Sequence, residues 1–454
     1  LIIRTKEYEL MRCVIKLSLL LALLFVALNE PAQAQQMPNI VFIMADDMGF
    51  ECMGANGGQT YKTPNLDKLA SQSVRFTQCH AQPLCTPSRV QLMTGLYNSR
   101  NYIEFGLLDP EAKTFANYLR AAGYTTCITG KWQLSGGYGK PNTTGFKGPN
   151  NFGFDEYCLW QVTRASKNKR NRYANPGFEI NGKEVDYRNG EYGPDIINNY
   201  ACEFIDRQAK ANKPFLLYYP MMLPHWPFDP TPDSKDWDPG KRQNDDHEKN
   251  ADTTSLPHFI DMVAYTDKMV GKVLAKLEEV GVRDNTLIIF TGDNGTHFQL
   301  TSVLDGKPYP GGKGKMTLNG THVPLVVDWP GKAKAGSVCE ELVDFTDMLP
   351  TMLDAAGVAM PEGFKPDGRS FLPLVRGEAG NPRQWIYSWY NPSGDKLTGE
   401  FAMNNRYKLY GGGRFYDLQN DPWEKSPIKP DDRTDEQEQA AQKLAEVIKD
   451  HTRP

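Results

Sequence analysis

Asn39-Ile40-Val41-Phe42-Ile43-Met44-Ala45-Asp46-Asp47 holds an unbroken apolar run closed by two aspartates. A run without polar alternation marks a strand buried on both faces, as in a parallel sheet. In such sheets ligands gather beyond the carboxyl ends of the strands, which is where Asp46 and Asp47 fall. The same grammar recurs downstream. Residues 125–129 lead to Gly130-Lys131, residues 215–219 to Pro224-His225, and residues 285–290 to Gly292-Asp293-Asn294. Helical stretches lie between them: 64–72 behind a Thr63-Pro64 start, 112–122 stopped by Gly123, 195–209, and 259–280. This alternation predicts an α/β fold, a mainly parallel sheet flanked by helices. After about Val358 the pattern becomes short strands at 385–390, 399–403, 407–410 and 414–418, then a helix over 436–449. That predicts a smaller C-terminal α+β subdomain with an antiparallel sheet over residues 359–454, beside a catalytic domain over 35–358.

Composition narrows the partners. Among 454 residues, 51 Lys and Arg nearly balance 55 Asp and Glu, so nothing in the global charge points to nucleic acid. The N-terminal region carries Arg12 and Lys16, the apolar run 17–28, and Ala32-Gln33-Ala34. This reads as upstream residues plus a signal peptide cleaved after Ala34, hence an exported, periplasmic or secreted protein. The run is shorter than the ~20 residues that span a bilayer, so no stable membrane insertion is expected. The cysteines show no paired Cys/His spacing for zinc. Cys127 and Cys202 fall in apolar patterns and are expected as free buried thiols.

Cys85-Thr86-Pro87-Ser88-Arg89 precedes Leu92-Met93-Thr94-Gly95. Proline suits a first helical turn, so Cys85 is placed at a helix N-terminus, where unpaired N–H groups favour an anion. From these residues alone, a reactive centre and an ordinary helix start with a buried cysteine are equally well supported.

The run Cys-x-Pro-Ser-Arg with downstream Thr-Gly resembles the sulfatase signature. Asp46-Asp47, Gly130-Lys131-Trp132, Pro224-His225-Trp226-Pro227, Gly292-Asp293-Asn294-Gly295 and Gly311-Gly312-Lys313-Gly314 follow in that family's order, and Tyr416-Asp417-Leu418 with Asp421-Pro422 and Glu424 resembles its closing segment. The resemblance implies an alkaline-phosphatase-like fold and hydrolysis of a sulfuric ester on a sulfated carbohydrate or aryl sulfate. It implies that Cys85 is oxidised to formylglycine (3-oxoalanine) by a maturation enzyme. The hydrated aldehyde then offers one hydroxyl to attack sulfur and a second whose deprotonation expels sulfate. Asp46, Asp47, Asp293 and Asn294, with residue 85, carry over as ligands of a hard cation, Ca2+ or alternatively Mg2+. Arg89, Lys131 and Lys313 carry over as fixed positive charges, Lys315 competing with Lys313, and His225 as the acid for the leaving oxygen.

The chain departs from the family pattern at Gln133, where many sulfatases carry a histidine thought to help deprotonate the diol. Glutamine cannot act as a base. His297 and His322 are candidate substitutes, though each reads more readily as a substrate contact or a structural histidine, and Gln133 is a candidate substrate contact. The basic segment Arg164 to Arg172, between Trp160 and Tyr173, fits either a glycan-steering surface or a solvated insertion. Two rival functions remain at this stage: a phosphomonoester, phosphodiester or phosphonate hydrolase on the same scaffold, and a non-catalytic binder of sulfated glycans.

Overall fold

The opening apolar run forms β1 (Asn39–Ala45), and every residue in it is buried. The computed structural model describes residues 37–136, 145–162, 172–240, 255–393 and 397–453. The leader and nearly all of the basic segment lie outside them.

The next strands are β2 (Val74–His80), β3 (Thr125–Lys131), β4 (Glu156–Trp160), β5 (Gly177–Ile180) and β6 (Lys183–Asp186). They are followed by β7 (Phe215–Pro220), β8 (Thr286–Gly292), the hairpin strands β9 (Thr301–Leu304) and β10 (Lys307–Pro310), β11 (His322–Asp328) and β12 (Ser337–Asp344). Among the described residues, one mixed sheet has the order β12-β2-β11-β8-β1-β7-β3-β4-β5-β6. Its centre is parallel, with β1 between β8 and β7 in continuous register, and β3 pairing with both β7 and β4. β11 runs against β8 and β2. The polar ends of β8, β1, β7 and β3 therefore open on one edge in neighbouring order, and β1 sits where the chain changes winding direction.

Helices Gly193–Ala211 and Leu256–Glu279 cover one face, burying Phe204, Ile205, Met262, Met269 and Val273 against Val41, Ile43, Leu217 and Ile288. Helix Phe115–Ala121 starts later than its sequence pattern suggests, because Thr114 caps it with a reciprocal Asn117 bond. The last strands, β13 (Ile386–Tyr390), β14 (Gly399–Met403), β15 (Tyr407–Tyr410) and β16 (Phe415–Asp417), make the expected antiparallel sheet, and helix Asp435–His451 follows. From Pro38 onward the chain is one compact unit, so this sheet is docked on the main body.

All described cysteines are free, but Cys202 is only partly buried, against the expectation of a core thiol. No described helix is long and apolar enough to cross a membrane.

A buried acid lies just behind the sheet edge. Glu51 is 1% exposed, and burial pushes its carboxyl up to about 7 from 4.5 even though Thr296 and Ser302 bond to it. The folded state keeps a proton that the unfolded chain has lost, so this group's contribution to stability falls as pH rises from about 4.5 to 7. Glu51→Gln is expected to be neutral near pH 4.5 and stabilising by roughly 2–3 kcal/mol at pH 8. Urea midpoints of both proteins at the two pH values check this.

Candidate active site

The helix Cys85–Thr94 begins at Cys85 itself, with Leu84 as its N-cap and no side-chain cap. All ten residues are buried, so the free N–H groups of its first turn face a protein interior. A negative group at residue 85 is favoured there.

Asp46 and Asp47 leave β1, and Asp293 and Asn294 leave β8. The four are fully buried, and Asp47 adopts a left-handed backbone (φ 69°) that turns the pair away from the strand. Asp47 N donates to Asp293 Oδ1 at 2.9 Å, and Asn294 Nδ2 to Asp47 Oδ1 at 2.9 Å, which locks the two strand ends together. One ligand atom each from Asp46, Cys85 and Asp293 lie within 4.8 Å of one another, as do those from Asp46, Asp47 and His225.

Three cations meet these carboxylates. Lys131 Nζ lies 2.8 Å from Asp46 Oδ2, and Lys313 Nζ 2.5 Å from Asp47 Oδ2. Arg89 NH2 lies 3.0 Å from Asp293 Oδ2 and 3.6 Å from Asp46 Oδ1. Burial alone would raise the Asp46 carboxyl, but Lys131 foremost holds it well below the usual range. Asp293 goes the other way, to about 7, through burial and then the like charge of Asp46.

Glycines allow this convergence. A Cβ on Gly130 would sit 1.9 Å from Pro220 O, so only glycine lets β3 approach β7 there and deliver Lys131. In Gly311-Gly312, side chains would strike His297 O and the Asn319 carbonyl carbon, and their absence lets Lys313 N reach Thr296 O at 3.0 Å.

His225 Nε2 lies 2.9 Å from Lys313 Nζ and 3.7 Å from Asp47 Oδ2. Gln133 is also present, its Oε1 accepting from Cys85 Sγ at 3.6 Å. His297 stacks on Phe298 at 4.4 Å and packs edge-on to Phe228, and the charges of Asp47 and Lys313 act on it. His322 is placed differently. Its ring stacks on Phe50 and His80, its Nε2 donates to Thr77 O at 2.8 Å, and burial lowers it to about 4. These are the contacts of a packed core histidine, the structural alternative that its sequence context left open.

Two residues in contact with the site were not singled out one by one. Arg172 and Tyr173 both touch His225. Arg172 closes the basic run that fits a glycan-steering surface and a solvated insertion alike; it is 8% exposed and stacked on Trp160. The aromatics on both sides of the run were the available signal.

The sulfatase family model matches residues 38–358, more than half of the chain and all the strands that carry this edge. The chain belongs to the sulfatase family. It is an enzyme of that family, on the alkaline-phosphatase-like fold. The model described as N-sulphoglucosamine sulphohydrolase, C-terminal, matches residues 313–451. This sulfatase is 30% identical over 388 residues to arylsulfatase G of Mus musculus, covering 75% of this chain and 69% of that one. It is 25% identical over 499 residues to the N-acetylglucosamine-6-O-sulfatase of Bacteroides thetaiotaomicron, covering 88% and 84%. The crystal structure of Ps i-CgsB in complex with k-i-k-neocarrahexaose superposes on this sulfatase with a TM-score of 0.71 at 25% identity, covering 92% and 94%.

Proposed function

We propose that this sulfatase releases inorganic sulfate from a sulfated carbohydrate, with aryl sulfates as simpler substrates, using a formylglycine made from Cys85 and a calcium ion, magnesium being the alternative. The observation that carries this reading is the meeting of Cys85 with three buried aspartates, the buried cations Arg89 and Lys131, and the part-buried Lys313 at one sheet edge.

The residues fit a hard cation. Asp46, Asp47, Asp293 and Asn294 offer only oxygen, and Asn294 Oδ1 is buried with no hydrogen-bond partner. These four, with residue 85, would hold the ion, which supplies Lewis-acid polarisation of a sulfate oxygen. Formylglycine supplies a nucleophile that can discharge sulfate without a second attack by water, and it makes a formylglycine-generating enzyme an obligatory partner. The helix N-terminus stabilises charge at residue 85, and Arg89 braces Asp46 and Asp293. Lys131 and Lys313 are near enough to turn from their aspartates to the sulfate oxygens. His225 donates the proton to the leaving alcohol.

The carbohydrate reading draws on the named substrates of the relatives and on two exposed aromatics beside the site. Trp226 is 39% exposed next to His225, and Phe298 is 56% exposed on its stack with His297. Rigid, solvated rings of this kind suit the apolar faces of sugars. Residues 35–358 would act as the catalytic domain and 359–454 as the subdomain that closes it. Signal cleavage after Ala34 would place the enzyme in the periplasm or outside the cell.

The test is a panel of sulfated sugars given to enzyme co-produced with a maturation enzyme, with and without added calcium, alongside peptide mass analysis of residue 85. Sulfate release together with an aldehyde at Cys85 is expected. A residue 85 that stays a thiol in active enzyme would refute the mechanism.

Gln133 occupies a left-handed backbone position (φ 55°), which histidine tolerates better than most residues. Gln133→His is therefore expected to keep activity and to add an ionisation near pH 6–7 to the kcat/KM profile, about the pKa of free imidazole. Complete loss would show a role for the amide that imidazole cannot fill.

A further inference from the structure

Two buried glutamines lie behind residue 85 and take no part in the chemistry. Gln82 is 2% exposed and Gln91 0%. Burying an amide is costly unless both of its ends are bonded. Here both ends of each are. The Ser388 hydroxyl donates to Gln82 Oε1 at 2.7 Å, and Gln82 Nε2 donates to Gln91 Oε1 at 2.6 Å. Gln91 Nε2 then donates to Asp344 Oδ1 at 2.7 Å, an oxygen that also accepts from Thr346 N at 2.9 Å. Burial raises the Asp344 carboxyl to about 6, so above that pH it is a carboxylate and can only accept. The acceptor at the end fixes the direction of the whole chain, and neither amide can turn over without facing like against like. The chain joins β13 of the C-terminal sheet, the helix Cys85–Thr94 and the end of β12.

Gln82 is also where this chain meets the site. Its N–H donates to Ser88 Oγ at 3.0 Å, and the Ser88 hydroxyl donates back to Gln82 O at 3.1 Å, which clamps residue 82 to the first turn of the helix. Pro83 O accepts from Gly314 N at 2.8 Å, next to Lys313. Leu84 is the N-cap and supplies no side-chain bond, and Cys85 follows. Within three residues, therefore, the segment that Gln82 anchors bonds to the Lys313 loop and delivers residue 85.

We propose that Gln82 is a positioning residue through which the C-terminal sheet fixes residue 85 relative to Lys313. This rests on the reading of residue 85 as the nucleophile. Gln82 touches no reacting atom and acts through Pro83 and Ser88. Asp46, Asp47, Lys131, Asp293 and Asn294 stand at the ends of β1, β3 and β8, outside this chain of bonds, so sulfate still finds its partners when the chain is cut. What is lost is the line of attack, and an error of about 1 Å there costs up to roughly a hundredfold in rate. The loss belongs in kcat.

The experiment measures kcat and KM of matured enzyme on 4-nitrophenyl sulfate at pH 8, with urea midpoints on the same samples. Gln82→Met keeps the side-chain length and removes both of its bonds, and Ser388→Ala cuts only the link to the C-terminal sheet. They are compared with wild type, with the double variant, with Cys85→Ala and with Leu444→Ala, which takes a buried side chain from the last helix and no bond from this chain. In Gln82→Met, kcat is expected to fall by about tenfold to a hundredfold, and in Ser388→Ala by about threefold to tenfold, with KM within about threefold in both. The double variant should be no slower than Gln82→Met alone, because both cut one path. Leu444→Ala should lose stability and keep its kcat. A change confined to KM overturns the proposal, and so does a kcat that follows the urea midpoint alike in all variants, which would mean a structural role. If Gln82→Met does not fold, Ser388→Ala against Leu444→Ala decides alone. If Cys85→Ala keeps its turnover, the reading of residue 85 fails. If Cys85→Ala is dead while Gln82→Met and Ser388→Ala match wild type, only the role of Gln82 fails.

Discussion

Cys85→Ala is expected to abolish turnover, with a loss on the order of 10^4 to 10^6 in kcat, the scale on which removal of a covalent nucleophile acts. The fold should not suffer. Alanine is the best helix former, and Cys85 opens a buried helix held by Ser88 Oγ to Gln82 O and by Asn98 Nδ2 to Pro87 O, none of which involves the thiol. Thermal melting unchanged beside lost sulfate release is therefore the expected pair of results. Cys85→Ser is the sharper variant. It places a hydroxyl over the same helix N-terminus, among Arg89, Lys131 and Lys313, so attack on sulfur remains open. Release does not, because a serine ester must wait for water. A stoichiometric burst without turnover is expected, visible as one sulfate retained per chain by mass analysis. Steady turnover by Cys85→Ser would show that no geminal hydroxyl is needed and would remove formylglycine from the account.

The site was legible in the sequence to the extent that its residues follow central parallel strands. β1, β3, β7 and β8 are almost wholly buried, β1, β7 and β8 as apolar runs and β3 as a threonine-rich one; Lys131 ends β3, and Asp46, His225 and Asp293 follow the other three. The strands on the flanks were not legible. β11 carries Pro324, which argues against a strand. The structure accommodates it at a register shift between Val323 and Leu325, where the ladder with β2 is interrupted. β12 reads Ser-Val-Cys-Glu-Glu-Leu-Val-Asp and breaks register between Cys339 and Leu342, so its alternation is half polar, as an edge strand allows. β2, second from that edge, mixes partly buried Arg75, Thr77 and Gln78 with buried Val74 and Phe76. His322 shows the complementary ambiguity. It lies at the start of β11 opposite His80, near the functional edge in sequence logic, but its ring is spent on stacking. Periodicity reports burial on one element, and it cannot report what a neighbouring strand will stack against.

The second large effect is expected from Lys408→Met, which should destabilise the fold by roughly 3–5 kcal/mol, the usual result of stranding one member of a buried ion pair. The Lys408 and Glu424 side chains are 0% and 3% exposed and 2.9 Å apart. Lys408 also donates to Met316 O, and Glu424 Oε1 accepts from Leu318 N at 3.1 Å, so the pair fastens the C-terminal sheet to the loop that carries Lys313. Burial lowers the Lys408 ammonium to about 8 from 10.5 in spite of Glu424. Between those values the unfolded chain binds a proton that the folded one lacks, so stability from this group rises as pH climbs through that window, and the whole penalty is present below about pH 8. The pair is therefore a net cost at neutral pH, maintained for what it holds. This separates two consequences. Lys408→Met/Glu424→Gln should regain most of the stability lost in the single variant, since no buried charge is left alone and the amide still accepts from Leu318 N. It should not regain full activity, because the Met316 carbonyl, three residues from Lys313, loses the ammonium and keeps only the longer 3.3 Å bond from the Tyr410 hydroxyl. Urea melts and sulfate release on the same samples read the two effects apart. A double variant as unstable as the single would mean that Lys408 acts through packing of its stem on Phe401 and Tyr410, whose ring centroids lie 3.9 and 4.9 Å from its ammonium, and not through neutralising Glu424.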